Sequence, residues 1–186
     1  MLHPPENPDA YQAQQKVDRF LAHWRTLPCP PNRVAPHVRT LLDNVEPELQ
    51  PSVALVDVVP PALLSVRLFG TAREASFGAN ITHTNALDVF ETHLREPVFE
   101  RVMAVVRQPV GWLTQRLSTS SRGTMMRFLS LTLPLTVDSG AKPCVVNFGA
   151  TMDVRPKDDA LPRVNAVLGC QWIDVGAGIP SLSPSF

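Results

Sequence analysis

Net charge is what this chain most plainly lacks: 17 Lys and Arg balance 17 Asp and Glu, and the formal net charge is zero. A nucleic-acid surface usually needs a basic excess on one face, and scattered residues such as Arg122 and Arg127 do not make one. Cysteine is equally thin. Cys29, Cys144 and Cys170 are an odd number with no CxxC spacing, which encodes neither a disulfide framework nor a zinc site and leaves buried or inert thiols. The opening MLHPPENPDA has no apolar signal region, and Asp57, Pro60 and Pro61 interrupt the most apolar stretch before it could span a bilayer. A cytoplasmic protein away from membranes is therefore expected. Catalytic signatures are missing too: there is no GxSxG or HExxH, and Ser118 to Gly123 holds a single glycine, a turn rather than a phosphate cradle.

What is present suits one core with appended helices, since a chain of 186 residues can bury enough surface without disulfides. The most legible stretch is Leu63 to Phe90. Leu64, Val66 and Leu68 alternate with Ser65, Arg67 and Phe69, the period of a half-buried strand. The strand stops at Gly70. Thr71 followed by Glu74 has the spacing of a capping box, so a helix is expected to start at Thr71. Gly78 would end it after Phe77 as a left-handed C-terminal residue. Ala79 to Thr84 reads as a loop, and a second short helical piece carries Leu87 and Phe90.

Upstream, Asn7 can cap a helix whose first position suits Pro8, and Val17, Phe20, Leu21 and Trp24 form one apolar stripe. That stripe either dimerises or caps the chain's own sheet. After the proline-rich Pro28 to Asn32, a second helix opened by Pro36 repeats the spacing with Val38, Leu41, Leu42 and Val45. Pro51 to Val59 is the first strand. Downstream of the short helices, Pro97 suits a helix N1 position, with Val98, Phe99, Val102, Met103 and Val106 on one face. Three strands follow: Val110 to Thr119, Thr124 to Thr136 and Lys142 to Val154. Ser120-Ser121-Arg122-Gly123 and Asp138-Ser139-Gly140 supply their hairpin turns.

This order, with Arg67-Leu68-Phe69-Gly70-Thr71 and Phe77-Gly78-Ala79-Asn80-Ile81-Thr82, resembles the PAS domain, and in particular a bacterial family of stand-alone single-PAS proteins common in alphaproteobacteria. The similarity runs from about Trp24 to Val154. The resemblance implies an α+β fold with a five-stranded antiparallel sheet in the order 2-1-5-4-3 and short helices over one face. Residues 1–48 are then an N-terminal helical extension, 49–155 the PAS-like domain, and 156–186 a linker and extended C-terminal tail. The chain departs from the pattern at His83, where PAS sequences often carry glycine, and a different local turn is expected there.

The resemblance also implies a regulatory role through protein–protein contact, as a homodimer or with another signalling protein, and a pocket or packed core between sheet and helices. Its wall would draw Leu64, Val66 and Leu68 from the second strand, Phe77, Phe90, Phe99 and Met103 from helices, and Phe128 and Phe148 from the last strands. Arg73, Asn80 and His83 would supply polar contacts to a small apolar or amphipathic ligand. No cofactor is expected. Haem held by His83 or His93 is the alternative. A flavin photosensor would need a reactive cysteine in the helical segment, and none lies between Leu63 and Pro109. Two other functions stay open: a ligand-free interaction adaptor, and a small cone-shaped hydrolase or isomerase working through Asp57, Asp88 and His93, against which the strand order speaks. In the tail, Val164 to Leu168 with Gln171 to Val175 reads as a short strand or an extended arm anchored by Trp172. The last serines and prolines should be ordered only if a neighbour holds them.

Overall fold

The structure, a computed structural model, describes residues 8–119, 125–153 and 163–186. Asn7, the 120–124 join and the 156–162 linker lie outside them. In order, the described elements are α1 (Pro8–Thr26), α2 (Val38–Asn44), β1 (Val53–Val59), β2 (Leu63–Phe69), α3 (Thr71–Phe77), α4 (Thr92–Arg107), β3 (Val110–Thr119), β4 (Met125–Leu135), β5 (Cys144–Thr151) and β6 (Arg163–Asp174). Short 3₁₀ turns form at Gln50–Ser52 and Ala86–Val89.

All six strands join one antiparallel sheet in the order β2-β1-β5-β4-β3-β6. The order 2-1-5-4-3 expected of a PAS sheet is present, and β6 extends it at the β3 edge. β6 pairs with β3 from Val110↔Asp174 to Thr119↔Arg163, and the register slips twice, leaving Leu168 and Asn165 as extra residues. Those slips explain why the sequence reads only as a short strand or an extended arm: each extra residue reverses the alternation of the side chains beyond it.

A sheet with two apolar faces needs two covers. Ala54, Val56, Val58, Leu64, Val66 and Val145 point toward α3, the Ala86–Val89 turn and α4. Leu55, Leu131, Leu133, Val146 and Phe148 point the other way, toward α1 and α2. The α1 stripe thus caps the chain's own sheet: Val17, Phe20 and Trp24 are buried, Leu21 is half-buried, and the Phe20 ring stacks on Phe148 with centroids 4.5 Å apart. In α2, Val38 and Leu41 pack inward while Leu42 is exposed.

α3 starts at Thr71 as expected but is capped differently, and α4 starts earlier than expected. Thr71 is the first helical residue of α3 rather than its cap, because Gly70 already donates its N–H to Val53 O (2.8 Å) and accepts from Glu74 N (2.9 Å). No side chain caps that end; the Glu74 carboxylate accepts from Asn80 instead, at 3.3 Å. α4 begins five residues before Pro97, which lies inside the helix. Proline removes the donor that would serve the His93 carbonyl. His93 is exposed, so water can take that bond. Glu91, just ahead of the helix, is tied to β6 through Val164 O (2.9 Å), which fixes where α4 starts.

The C-terminal segment folds back against the β3–β6 edge. Trp112 and Trp172 donate from Nε1 to Pro184 O (3.2 Å) and Leu182 O (2.7 Å), and Phe186 lies over the Arg101 guanidinium at 5.0 Å. The neighbour that holds the tail is the chain's own sheet and helix.

Candidate functional site

The cavity lies between the sheet and the α3–α4 cover, as the alternation of β1, β2 and β5 dictates. Leu64 and Val66 of β2, Ala54 and Val56 of β1 and Val145 of β5 form its floor, and Phe77, Ile81, Val89, Phe90, Val98 and Val102 its roof. The cavity has a volume of about 60 Å³. At roughly 30 Å³ for each water that is room for about two, well under the roughly 150 Å³ of a cavity that holds a benzene ring.

Of the sequence-expected wall, Leu64, Val66, Phe77 and Phe90 line this space. Phe99 is buried in the same core and Met103 packs against it, but neither reaches the cavity. Phe128 sits behind Phe77, edge-on at 6.0 Å, and lines a neighbouring cleft instead. Leu68 and Phe148 belong to the opposite face. For Leu68 the cause is a bulge: Leu55 pairs with Leu68 but Val56 pairs with Val66, so Arg67 is extra and the alternation reverses. Phe69 therefore faces the cavity where Leu68 was expected. Phe148 has simple parity with Val146, and both turn toward α1.

The polar side chains in the cavity are Arg73, Arg116, Thr132 and Asn147. Arg73 and Arg116 are 9% and 7% exposed. α3 carries Arg73 inward two residues after its start, and Gly149 makes space for it: a Cβ there would lie 3.1 Å from the guanidinium carbon. Arg73 Nη1 donates to Asn147 O at 3.2 Å and to Asn147 Oδ1. Asn147 Nδ2 donates onward to Ser130 Oγ (2.8 Å) and Thr132 Oγ1 (2.9 Å). Arg116 Nε donates to Thr114 Oγ1 at 2.8 Å. Each guanidinium lies against rings: Arg73 over Phe69 at 5.2 Å, Arg116 over Phe90 at 5.0 Å and Trp112 at 5.7 Å. Among the described residues neither has a carboxylate partner.

Burial disfavours the charged form of each. It pushes Arg73 down to about 9, with the nearby Arg116 charge adding to the effect, and it pushes Arg116 down to about 10. Both values stay above neutral, so two unneutralised cations share the cavity at pH 7.

The other sequence candidates are dispersed. Asn80 and His83 are exposed, Asn80 accepting from Thr82 N at 2.8 Å. His83 takes the left-handed conformation, φ 68°, that a glycine would otherwise supply, so the turn is made despite the side chain. Its N–H donates to Val66 O and Thr84 N–H to Ile81 O, which hold it there. His93 is also exposed, and neither histidine lines the cavity that haem would have to enter. Asp57 pairs with Arg67, and Asp88 with Arg95 at 3.2 Å. The three residues a cone-type enzyme would need therefore do not converge on the cavity.

Arg116 escaped the sequence reading, although its signal was there. Val110 and Trp112 are apolar and inward, and the same parity continues through Thr114, Arg116 and Ser118, all of them buried. A charged residue at an inward strand position is uncommon enough to single out.

By strand order and helix placement this is an α+β fold of the PAS type. Neither a protein-family model nor a curated protein matches the chain. Among solved structures, it is similar to a fungal LOV domain photoreceptor described as integrating blue light and oxidative stress, with 15% identity, 73% of this chain and 90% of that chain covered, and a TM-score of 0.46. It is also similar to the LOV protein of Rhodobacter sphaeroides, with 10% identity, 75% and 68% covered, and a TM-score of 0.44. Both likenesses are remote, and the fold assignment rests on the observed strand order. No described helix is long and apolar enough to cross a membrane.

Proposed function

We propose that this chain is a non-enzymatic sensory module whose cavity takes a small amphipathic molecule and whose output passes through contact with another protein. The observation that supports it is the character of the cavity: apolar walls, a few convergent polar groups and unfilled space under short helices. General acid–base chemistry needs a group that exchanges a proton near neutral pH, and among the described residues the cavity lining holds no Asp, Glu, His, Cys or Lys. The adaptor reading, in which the core is filled, is less well supported because space remains. Binding would be read through the cover. α3 is a two-turn helix that ends on left-handed Gly78, φ 74°, and the 79–85 segment is tied to β2 by only a few backbone bonds. Such weakly held backbone is where a ligand most readily shifts a population.

A thermal-shift screen of small metabolites tests this, run on the native chain and on Val102→Phe, which fills the cavity. Compounds that raise the melting temperature of the native chain and not of the filled variant support the reading. If no compound does so, the cavity is not a ligand site and the adaptor function replaces it.

A further inference from the structure

Two buried cations in one small cavity need an explanation that the fold alone does not give. Charges withdrawn from water are ordinarily paired. Here each guanidinium has neutral partners only: the Asn147 oxygens for Arg73 and the Thr114 hydroxyl for Arg116. Aromatic rings lie 5.0–5.7 Å from the guanidinium carbons. That leaves the N–H edges for an acceptor, and Arg73 Nε and Nη2 and Arg116 Nη1 and Nη2 have none among the described residues. A guanidinium beside aromatic rings with its N–H edge free presents the fork that matches a carboxylate.

The rest of the cavity fixes the other end of the ligand. Asn147 spends its Oδ1 on Arg73 and both Nδ2 hydrogens on Ser130 and Thr132, so it has no donor left for a second polar group, and Thr132 keeps only its hydroxyl hydrogen. Beyond the arginines the walls are hydrocarbon, chiefly Val56, Val66, Val98, Val102 and Val145. A fully polar anion such as phosphate would leave that surface unused. At about 60 Å³ the space keeps the tail short, and an acid of a few carbons enters only as the α3 cover shifts outward.

We propose, building on the sensory reading above, that Arg73 and Arg116 hold the carboxylate of a short-chain monocarboxylic acid whose hydrocarbon tail lies along the valine wall. The ligand completes the charge balance of the core, and its arrival shifts α3, which carries Arg73, relative to β5, which carries Asn147.

The probe is sodium butanoate titrated calorimetrically into the native chain at fixed ionic strength, against butanamide, its uncharged isostere, and against sodium chloride. Hydrogen bonds to a charged acceptor should make butanoate bind at least about tenfold more tightly than butanamide. Arg116→Met keeps the bulk without the charge and should abolish that preference. Asn147→Asp supplies a carboxylate to Arg73 from within the chain and should weaken butanoate in the same direction. Should either variant fail to fold, the acid–amide comparison on the native chain decides alone. Equal binding of butanamide overturns the anion assignment while leaving the cavity a ligand site. An equal response to chloride overturns it as well, reducing the effect to salt. Absence of any binding by acid or amide overturns it too, and the metabolite screen then judges the sensory reading separately.

Discussion

Arg73 and Asn147 are joined twice, Nη1 donating both to the Asn147 backbone carbonyl at 3.2 Å and to its side-chain oxygen. Through Asn147 Nδ2 the link continues to Ser130 and Thr132 on β4, so one amide connects the helical cover to two central strands. Every polar group of that amide is used, and it is 9% exposed.

Asn147→Leu should therefore cost more than its volume suggests. It strips Arg73 of a side-chain acceptor and two buried hydroxyls of their donor, at about 1–3 kcal/mol for a group left unsatisfied. Urea unfolding followed by far-ultraviolet circular dichroism should show the midpoint fall. Asn147→Ser, which retains a hydroxyl, should fall less.

The Phe20–Phe148 stack is the keystone of the opposite layer, both rings being fully buried. Phe20→Ala should destabilise by about 3–5 kcal/mol. Removing the residues before Cys29 should uncover the sheet face formed by Leu131, Leu133 and Phe148, seen as increased binding of a hydrophobic dye. A truncated chain with unchanged melting temperature and no dye binding would show that α1 does not act as the cover.

The bulge at Arg67 makes a paired prediction about neighbours in sequence. Phe69 is buried beside Phe77, centroids 5.6 Å apart, whereas Leu68 is only half-buried on the far face. Phe69→Ala should cost about 3–5 kcal/mol and disturb the cavity, and Leu68→Ala less than about 2 kcal/mol with the cavity intact. Chemical denaturation of both variants checks the order. The reverse order would place β2 in the unbulged register.

Cysteine reactivity follows burial. The thiolate is the reacting form, and burial pushes the Cys144 thiol up to about 12, the nearby Arg67 opposing and Asp57 assisting. Cys29 is exposed. Iodoacetamide at pH 8, read by peptide mass spectrometry, should label Cys29 first and Cys144 only on unfolding. Because the folded thiol is the weaker acid, its contribution to stability is complete below the ordinary thiol pKa of about 8.5 and is lost as pH rises toward about 12.

Much of this was readable from the residues, and the failures share a cause. Alternation located β2, runs between prolines and turn residues located β1, β3, β4 and β5, and the α1 stripe gave a cover but not what it covers. Periodicity assumes that every residue takes a place in the ladder. Arg67, Leu168 and Asn165 do not, so the alternation points Phe69 outward and leaves β6 as a short strand or an extended arm. Pro97 was read by its intrinsic preference for a helix start, whereas the tie of Glu91 to β6 sets the true one. The site itself was half legible. Arg73 was visible beside Gly70 and Phe77, while Arg116 was hidden in a strand read only for its apolar members, and its meeting with Arg73 depends on pairings across β4 and β5 that local sequence does not record.

The most direct test of the account is a methyl-resolved NMR titration of the native chain with sodium butanoate. It predicts saturable shifts at Val66, Ile81, Val98 and Val102, which line the cavity, with Leu131, Leu133 and Val146 on the α1 face unmoved. Cavity methyls that stay in place, or shifts confined to the α1 face, would contradict it.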